Sequence, residues 1–188
     1  MATTTTNRSD HAPDYEGAIV PAGAMRIVPE RSRIGFKVRK MGLYYVNGRF
    51  TEIDGQVGVG SGGLPERGEV AIQARSVTTR MPPRDWHLRT RDFLDVERYP
   101  LITIGVARVD PADDGGFVVH AGFEVHGQHR PASLYGHLHK LPQGHGVAVH
   151  LHGTVDRHAF GIRPRQPFDM VVGGEVQIDA ELTLERLQ

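Results

Sequence analysis

The chain has 188 residues, a length that fits a single domain, and its 22 Lys and Arg balance its 22 Asp and Glu. This balance provides no basic surface field that would attract nucleic acid. Cys is absent, which excludes disulfide bonds and thiolate catalysis.

Residues 1–24 are rich in Thr, Asp, Asn, Pro and Gly and poor in large apolar side chains. Such a segment cannot bury enough surface to offset the entropy lost on ordering, so we predict a flexible N-terminal arm over 1–24 and one domain over 25–188. The arm lacks the apolar run of a secretory signal, and nothing later is long and apolar enough for a membrane helix. We therefore expect a cytoplasmic protein without a membrane span.

From residue 25 onward, apolar and polar residues alternate in runs separated by Gly, Pro and Asp, which is typical of antiparallel strands with one buried face. The clearest run is 176–184, where Val, Ile, Ala, Leu and Leu alternate with polar residues. The other predicted strands lie at 25–29, 33–40, 45–59, 69–75, 101–109, 117–124, 132–141 and 147–152. About eight such strands close into a barrel that holds packed side chains or one small ligand. The sequence thus predicts an all-β antiparallel barrel.

One segment between the strands is predicted to be helical. A helix can begin at Pro83, and the charged residues that follow end before Tyr99 and Pro100. A single helix among strands suggests a lid near one mouth of the barrel.

The same segment carries a long motif. Residues 84–100, RDWHLRTRDFLDVERYP, resemble the RD-x-HL-x-x-x-DFFDV-x-x-YP signature of the YceI-like, polyisoprenoid-binding family. Further segments resemble that family in the same order, from about residue 25 to 185: SRIGFKV at 32–38, the G-x-F turn at 48–50, GQHRP at 127–131, DRHAFGI at 156–162 and the last strand at 173–184. The chain departs from the family pattern at three positions. It has Met25 or Arg26 where the family has an aromatic residue, Lys40 where the family has His and Ile104 where the family has Phe.

The resemblance implies an extended lipocalin-like barrel with a helix over one end, no catalytic machinery and an apolar tunnel for an isoprenoid chain or quinone-like tail. We therefore expect a non-enzymatic carrier of a long-chain isoprenoid or similar apolar lipid, with no cofactor and no bound metal. Strands of about 8–10 residues span about 25–33 Å, which suits a prenyl tail of several units. The sequence leaves open whether the barrel forms a homodimer.

The predicted lipid-contacting residues are apolar and either point inward on predicted strands or belong to the helical motif: Phe36, Val38, Val46, Phe50, Val70, Ile72, Leu88, Phe93, Ile102, Ile104, Phe123 and Leu134. For any one of them, core packing is the simpler explanation. The polar residues predicted at the mouth are Asp85, His87, Arg89, Asp92 and Arg157. They are expected to cap the helix, to tie it to the barrel or to contact a lipid headgroup.

An enzyme is the alternative hypothesis. Asp85 with His87 is an acid–base combination, although no nucleophile motif accompanies it. Two His-x-His pairs also lie on consecutive predicted strands, His137 with His139 and His150 with His152. If their hairpin centres near Gln143 and Gly144, His137 lies opposite His150 and the four rings form one face that can bind Zn²⁺ or Ni²⁺. That face is expected to be exposed, because the opposite one is apolar. A third hypothesis is a barrel filled by its own side chains.

Overall fold

The computed structural model of the protein describes residues 22–141 and 146–187. Most of the predicted N-terminal arm and the turn at 142–144 therefore lie outside the described residues. Within the described ranges, eleven strands form one sheet in which every pairing is antiparallel. The strands are β1 (Gly23–Ile27), β2 (Arg33–Lys40), β3 (Tyr44–Phe50), β4 (Ile53–Val59), β5 (Pro65–Gln73), β6 (Val77–Thr78), β7 (Leu101–Pro111), β8 (Phe117–Val125), β9 (Gln128–Lys140), β10 (Val147–Asp156) and β11 (Val172–Arg186).

The sheet closes into a barrel because β1 pairs with both β4 and β11. The closed ring runs β1-β4-β5-β7-β8-β9-β10-β11, which is the predicted barrel of eight antiparallel strands. Strand β11 is long enough to pair with β1 near its C-terminal end and with β2 over residues 172–181. The remaining strands β2, β3 and β6 extend the wall beyond this ring.

One predicted strand is divided in the structure. The alternation over 45–59 predicts a single strand, but the chain leaves the ladder at Thr51 and Glu52. Before this break β3 pairs with β2 and β6, whereas after it β4 pairs with β1 and β5. The break lets the chain pass from the extension to the closed ring.

Two short helices accompany the barrel in the described part of the chain. Helix α1 spans Pro82–Arg89, so it begins where the sequence predicts a helix but ends well before Tyr99, because the following residues form turns. Helix α2 spans Phe168–Val171 and was not predicted. Neither is long and apolar enough to cross a membrane.

The strand register defines two ends of the barrel. Val172 at the start of β11 pairs with Lys40 at the end of β2, and Glu175 pairs with Asp156 at the end of β10. We call this the mouth end, since both helices lie near it. At the far end the interior is filled by buried side chains: Met25, Phe117, Val119, Val147, Val149, Leu182 and Leu184.

Candidate functional site

The half of the barrel nearest the mouth encloses a cavity of about 540 Å³. This volume contradicts the hypothesis of a barrel filled throughout by its own side chains. Its apolar wall comes from eight strands, from α1 and the residues that follow it, and from the segment after β10: Ile34, Phe36, Val38, Val46, Phe50, Ile72, Val77, Leu88, Phe93, Leu94, Ile102, Ile104, Phe123, Val125, Val155, Phe160, Ile162, Val172, Val176 and Ile178. The cavity thus offers an apolar environment inside a barrel whose other half is packed.

The opening of the cavity is marked by lining residues that are also exposed to solvent. These are Arg39 and Lys40 at the end of β2, Met81 and Pro83 at the start of α1, and Phe168 at the start of α2. The opening therefore combines cations with exposed apolar side chains.

Ten of the twelve residues predicted to contact lipid line this cavity. The other two, Val70 and Leu134, are buried in the core away from it. Leu134 pairs with Val119 in the packed half, and Val70 lies opposite Gly55, whose backbone is close to Ile27. That the ten residues contact a ligand stays a prediction.

Among the predicted mouth residues, Asp85 ties α1 to the barrel. Its carboxylate accepts hydrogen bonds from Thr78 Oγ1 at 2.8 Å, from the Thr79 backbone N–H at 2.7 Å and from the Thr79 hydroxyl. Burial pushes the pKa of Asp85 upward, but the hydrogen bonds from Thr79 and Thr78 outweigh it and hold the pKa below its usual range. Arg89 adds a second tie, since its guanidinium donates to the carbonyl of Val77 at 3.1 Å. Asp85 is thus an ionised structural anchor.

His87 lines the cavity, and its described contacts are with residues other than Asp85. Its Nε2 lies 3.3 Å from Asp92 Oδ2, and its ring packs edge-on against Phe93 and Phe168 at 5.1 and 5.0 Å between centroids. The Asp85 carboxylate accepts hydrogen bonds from Thr78 and Thr79, so the described contacts do not bring it together with His87 as the alternative hypothesis supposes. His87 instead joins α1 to α2 beside the opening.

Arg157 lines the cavity and is buried, with 5% of its surface exposed. Its guanidinium donates to the carbonyls of Ile162 at 2.6 Å, Val172 at 2.7 Å and Gly173 at 3.0 Å. It also forms an ion pair with Asp169 at 2.9 Å. Val172 and Gly173 lie where the register of β11 shifts, so Arg157 supplies hydrogen bonds to backbone carbonyls at an irregular part of this strand. Arg157 therefore holds α2 and the start of β11 at the mouth.

The histidine face has the predicted register on the outside of the barrel. His137 lies directly opposite His150, and His150 Nε2 lies 3.0 Å from Asp179 Oδ2. His139 and His152 are exposed. Within the described ranges, however, no three His, Asp or Glu side chains come together to hold a metal ion. The described residues of this face are therefore not arranged as the metal site of the alternative hypothesis.

Several cavity residues were not among the predicted contacts. Val176 and Ile178 lie on the strand with the clearest alternation, and Phe160 and Ile162 belong to the DRHAFGI motif, so a signal for all four is present in the sequence. Phe168 carries no such signal, because it follows a loop and lies on the short helix α2.

Comparisons with known proteins agree with this geometry. A family model described as the YceI-like domain matches residues 25–184. A UPF0312 protein of Vibrio cholerae is 27% identical over 188 residues, which cover 97% of this chain and 89% of the relative.

Solved structures share the fold. Burkholderia cenocepacia BcnA superposes with a TM-score of 0.76 at 18% identity, covering 84% of this chain and 98% of that chain. A polyisoprenoid binding domain from Saccharophagus degradans gives a TM-score of 0.69 at 14% identity, covering 87% and 98%. At these identities the likeness shows a common barrel architecture.

Proposed function

The chain belongs to the YceI-like family, and from this premise we propose that it is a non-enzymatic carrier that holds a long-chain isoprenoid or similar apolar lipid in the barrel. The cavity of about 540 Å³ carries the proposal. Ligand sites commonly measure about 300–1,000 Å³ and have mostly apolar walls with a few polar groups. A carrier site of this kind needs no polar partner along the chain of its ligand.

The polar groups at the cavity support this proposal through their arrangement. Asp85 and Arg157 are engaged with the barrel itself, so their roles in the structure are to anchor α1 and α2. His87, Arg39 and Lys40 lie where the headgroup of a lipid would emerge if its chain filled the apolar part. A quinone oxygen or a phosphate fits these donors.

The number of isoprene units in the ligand is the variable that tests this proposal. A structural neighbour is named as a polyisoprenoid binding domain, and this name supports a prenyl chain as the first ligand to test. Burial of each added methylene is worth about 0.8 kcal/mol, so affinity is expected to rise with the number of isoprene units until the cavity is full.

The test is a calorimetric titration of delipidated protein with quinones that carry increasing numbers of isoprene units. Val46→Trp places a large side chain into the cavity wall and is expected to weaken binding at least about tenfold, since an overfilled site loses the contacts of its ligand. The matched control is Val118→Trp on β8, whose residue is absent from the cavity wall. The proposal fails if no quinone binds, or if both variants bind like the unmodified protein.

A further inference from the structure

The opening of the cavity is surrounded by exposed apolar side chains from three segments. We call them the mouth rim: Met41, Leu43, Tyr44, Met81, Phe168 and Met170. Leu43 is 78% exposed and Met170 is 81% exposed. Apolar side chains of this size that cluster on a surface mark an interaction site more often than isolated ones do.

Contacts between the segments place the rim around one opening. The Met41 backbone N–H donates to the carbonyl of Val171 at 2.6 Å, which joins the β2–β3 turn to α2. Phe168 on α2 contacts His87 on α1. Met81 and Phe168 also line the cavity. The rim is therefore continuous with the cavity wall.

Met41, at the apolar tip of the β2–β3 turn, has an unfavourable backbone conformation. Met41 has a φ of 53° in the left-handed region, where Gly or Asn is usual. An exposed Met in this conformation gains nothing from core packing to compensate. A contact between the Met41 side chain and a binding partner outside the chain explains why Met occupies this position.

Exposed cations lie beside the rim in a chain whose overall charge is balanced. The segment 37–44, which forms the end of β2 and the turn into β3, contains three Lys and Arg and no Asp or Glu, although Lys and Arg equal Asp and Glu over the full length. Arg39, Lys40, Arg80 and Arg163 are exposed on the segments that carry or adjoin the rim. The nearby carboxylate of Asp169 is held by Arg157. Cations thus flank the apolar tips.

We propose that the mouth rim docks on the surface of an anionic lipid bilayer. Apolar side chains beside cations bind such surfaces because the apolar groups enter the boundary between headgroups and acyl chains while the cations approach the phosphates. In this orientation the cavity opens toward the hydrocarbon of the bilayer. The docking concerns the rim alone and stands whether or not the cavity holds a prenyl lipid.

Cosedimentation with vesicles tests the docking. The protein is expected to bind vesicles of phosphatidylcholine with about one third phosphatidylglycerol more tightly than vesicles of phosphatidylcholine alone. Raising the salt from about 0.1 M to about 1 M shortens the screening length from about 10 Å to about 3 Å and is expected to weaken this binding. Leu43→Glu is expected to lower the partition coefficient at least about tenfold, since it places a carboxylate against the anionic surface.

The matched control is Leu187→Glu, which makes the same change at an exposed Leu that follows β11 at the far end of the barrel. It is expected to bind anionic vesicles like the unmodified protein. Absence of vesicle binding overturns the proposal, as does equal loss of binding in both variants. The proposal is also overturned if the protein binds no vesicles and instead forms a dimer that Leu43→Glu disrupts.

The orientation has its own test, because Trp86 is the single Trp of the sequence. In a Trp86→Phe background, Leu43→Trp places the only fluorophore of this type on the rim and Leu187→Trp places it at the far end. Lipids brominated on the acyl chain are expected to quench the fluorescence of Trp at position 43 and to leave the fluorescence of Trp at position 187 unchanged. Equal quenching at both positions would contradict docking through the rim.

Discussion

Gly48 on β3 lies directly opposite Phe36 on β2, and the Phe36 ring occupies the space in which a side chain at 48 would begin. A Cβ atom at position 48 would overlap Phe36 Cζ. The ring therefore lies over the β3 backbone and meets Phe50 at 5.8 Å between centroids. The family motif describes a turn at this Gly, whereas the predicted strand 45–59 includes it. The structure places Gly48 inside β3, where its missing side chain shapes the cavity wall.

Gly48→Ala is expected to displace the Phe36 ring into the cavity. Because the added methyl group overlaps the ring, the free energy of unfolding is expected to fall by about 1–3 kcal/mol, and the affinity for a long prenyl chain is expected to fall with it. Urea denaturation and calorimetric titration measure the two effects. Gly62→Ala is the control, since a Cβ there meets nothing within 4 Å. Equal effects of the two substitutions would argue against this role of Gly48.

Asp85→Asn tests the anchor between α1 and β6. The amide cannot accept all of the hydrogen bonds that the buried carboxylate accepts from Thr78 and Thr79, so we expect a loss of about 1–3 kcal/mol in the free energy of unfolding. The same change at Asp113, which is exposed in the β7–β8 turn, serves as the control. If Asp85→Asn is as stable as the control, the hydrogen bonds of the Asp85 carboxylate do not contribute to the stability of the fold as described.

The ion pair between Asp169 and Arg157 predicts a dependence of stability on pH. The hydrogen bond from Arg157 holds the pKa of Asp169 below its usual range, and His158 Nε2 lies near the same carboxylate at 3.4 Å. The folded pKa is thus lower than the unfolded pKa of about 3.9, so the stabilisation is complete above that value and is lost as the pH falls through the folded pKa.

We therefore expect Asp169→Asn to be less stable than the unmodified protein at neutral pH and to lose less stability on acidification. Urea midpoints measured between about pH 6 and about pH 2 compare the two proteins across this window. Parallel curves would show that the Asp169 carboxylate does not contribute to the acid sensitivity.

The histidine face offers a check on the alternative class of function. Replacing both His137 and His150 by Ala is expected to leave the zinc content and the extracted lipid content unchanged, because the four His side chains do not form a metal site in the structure. Elemental analysis and lipid extraction of the purified proteins measure both quantities. Loss of a metal-dependent property in the double variant would revive the enzyme hypothesis.

Local patterns in the sequence predict most of the barrel, because each strand with one buried face carries its own alternation. The final strand is an example, where Ala180, Leu182 and Leu184 are buried and Glu181 is exposed. The break at Thr51 and Glu52 is not predicted, since the apolar residues on both sides continue in strand-like runs. Its cause is a change of pairing partner, which depends on the whole sheet.

The cavity wall is predicted less completely, and the neighbours Val70 and Ile104 show why. They pair across β5 and β7, and both are apolar residues on predicted strands. Only Ile104 lines the cavity. Whether an inward side chain meets a void or another side chain depends on how the strands close, which alternation along one strand does not encode. The same limit applies to Asp85, whose partners Thr78 and Thr79 become neighbours only once α1 packs on β6.

The central claim is that the apolar cavity holds a long-chain lipid, and the molecules released from protein purified without detergent test it most directly. Mass spectrometry of the native protein and of its denatured extract is expected to detect a stoichiometric prenyl lipid or quinone, with much less in Val46→Trp than in Val118→Trp. A protein that releases no lipid and binds no added prenyl chain would contradict the claim.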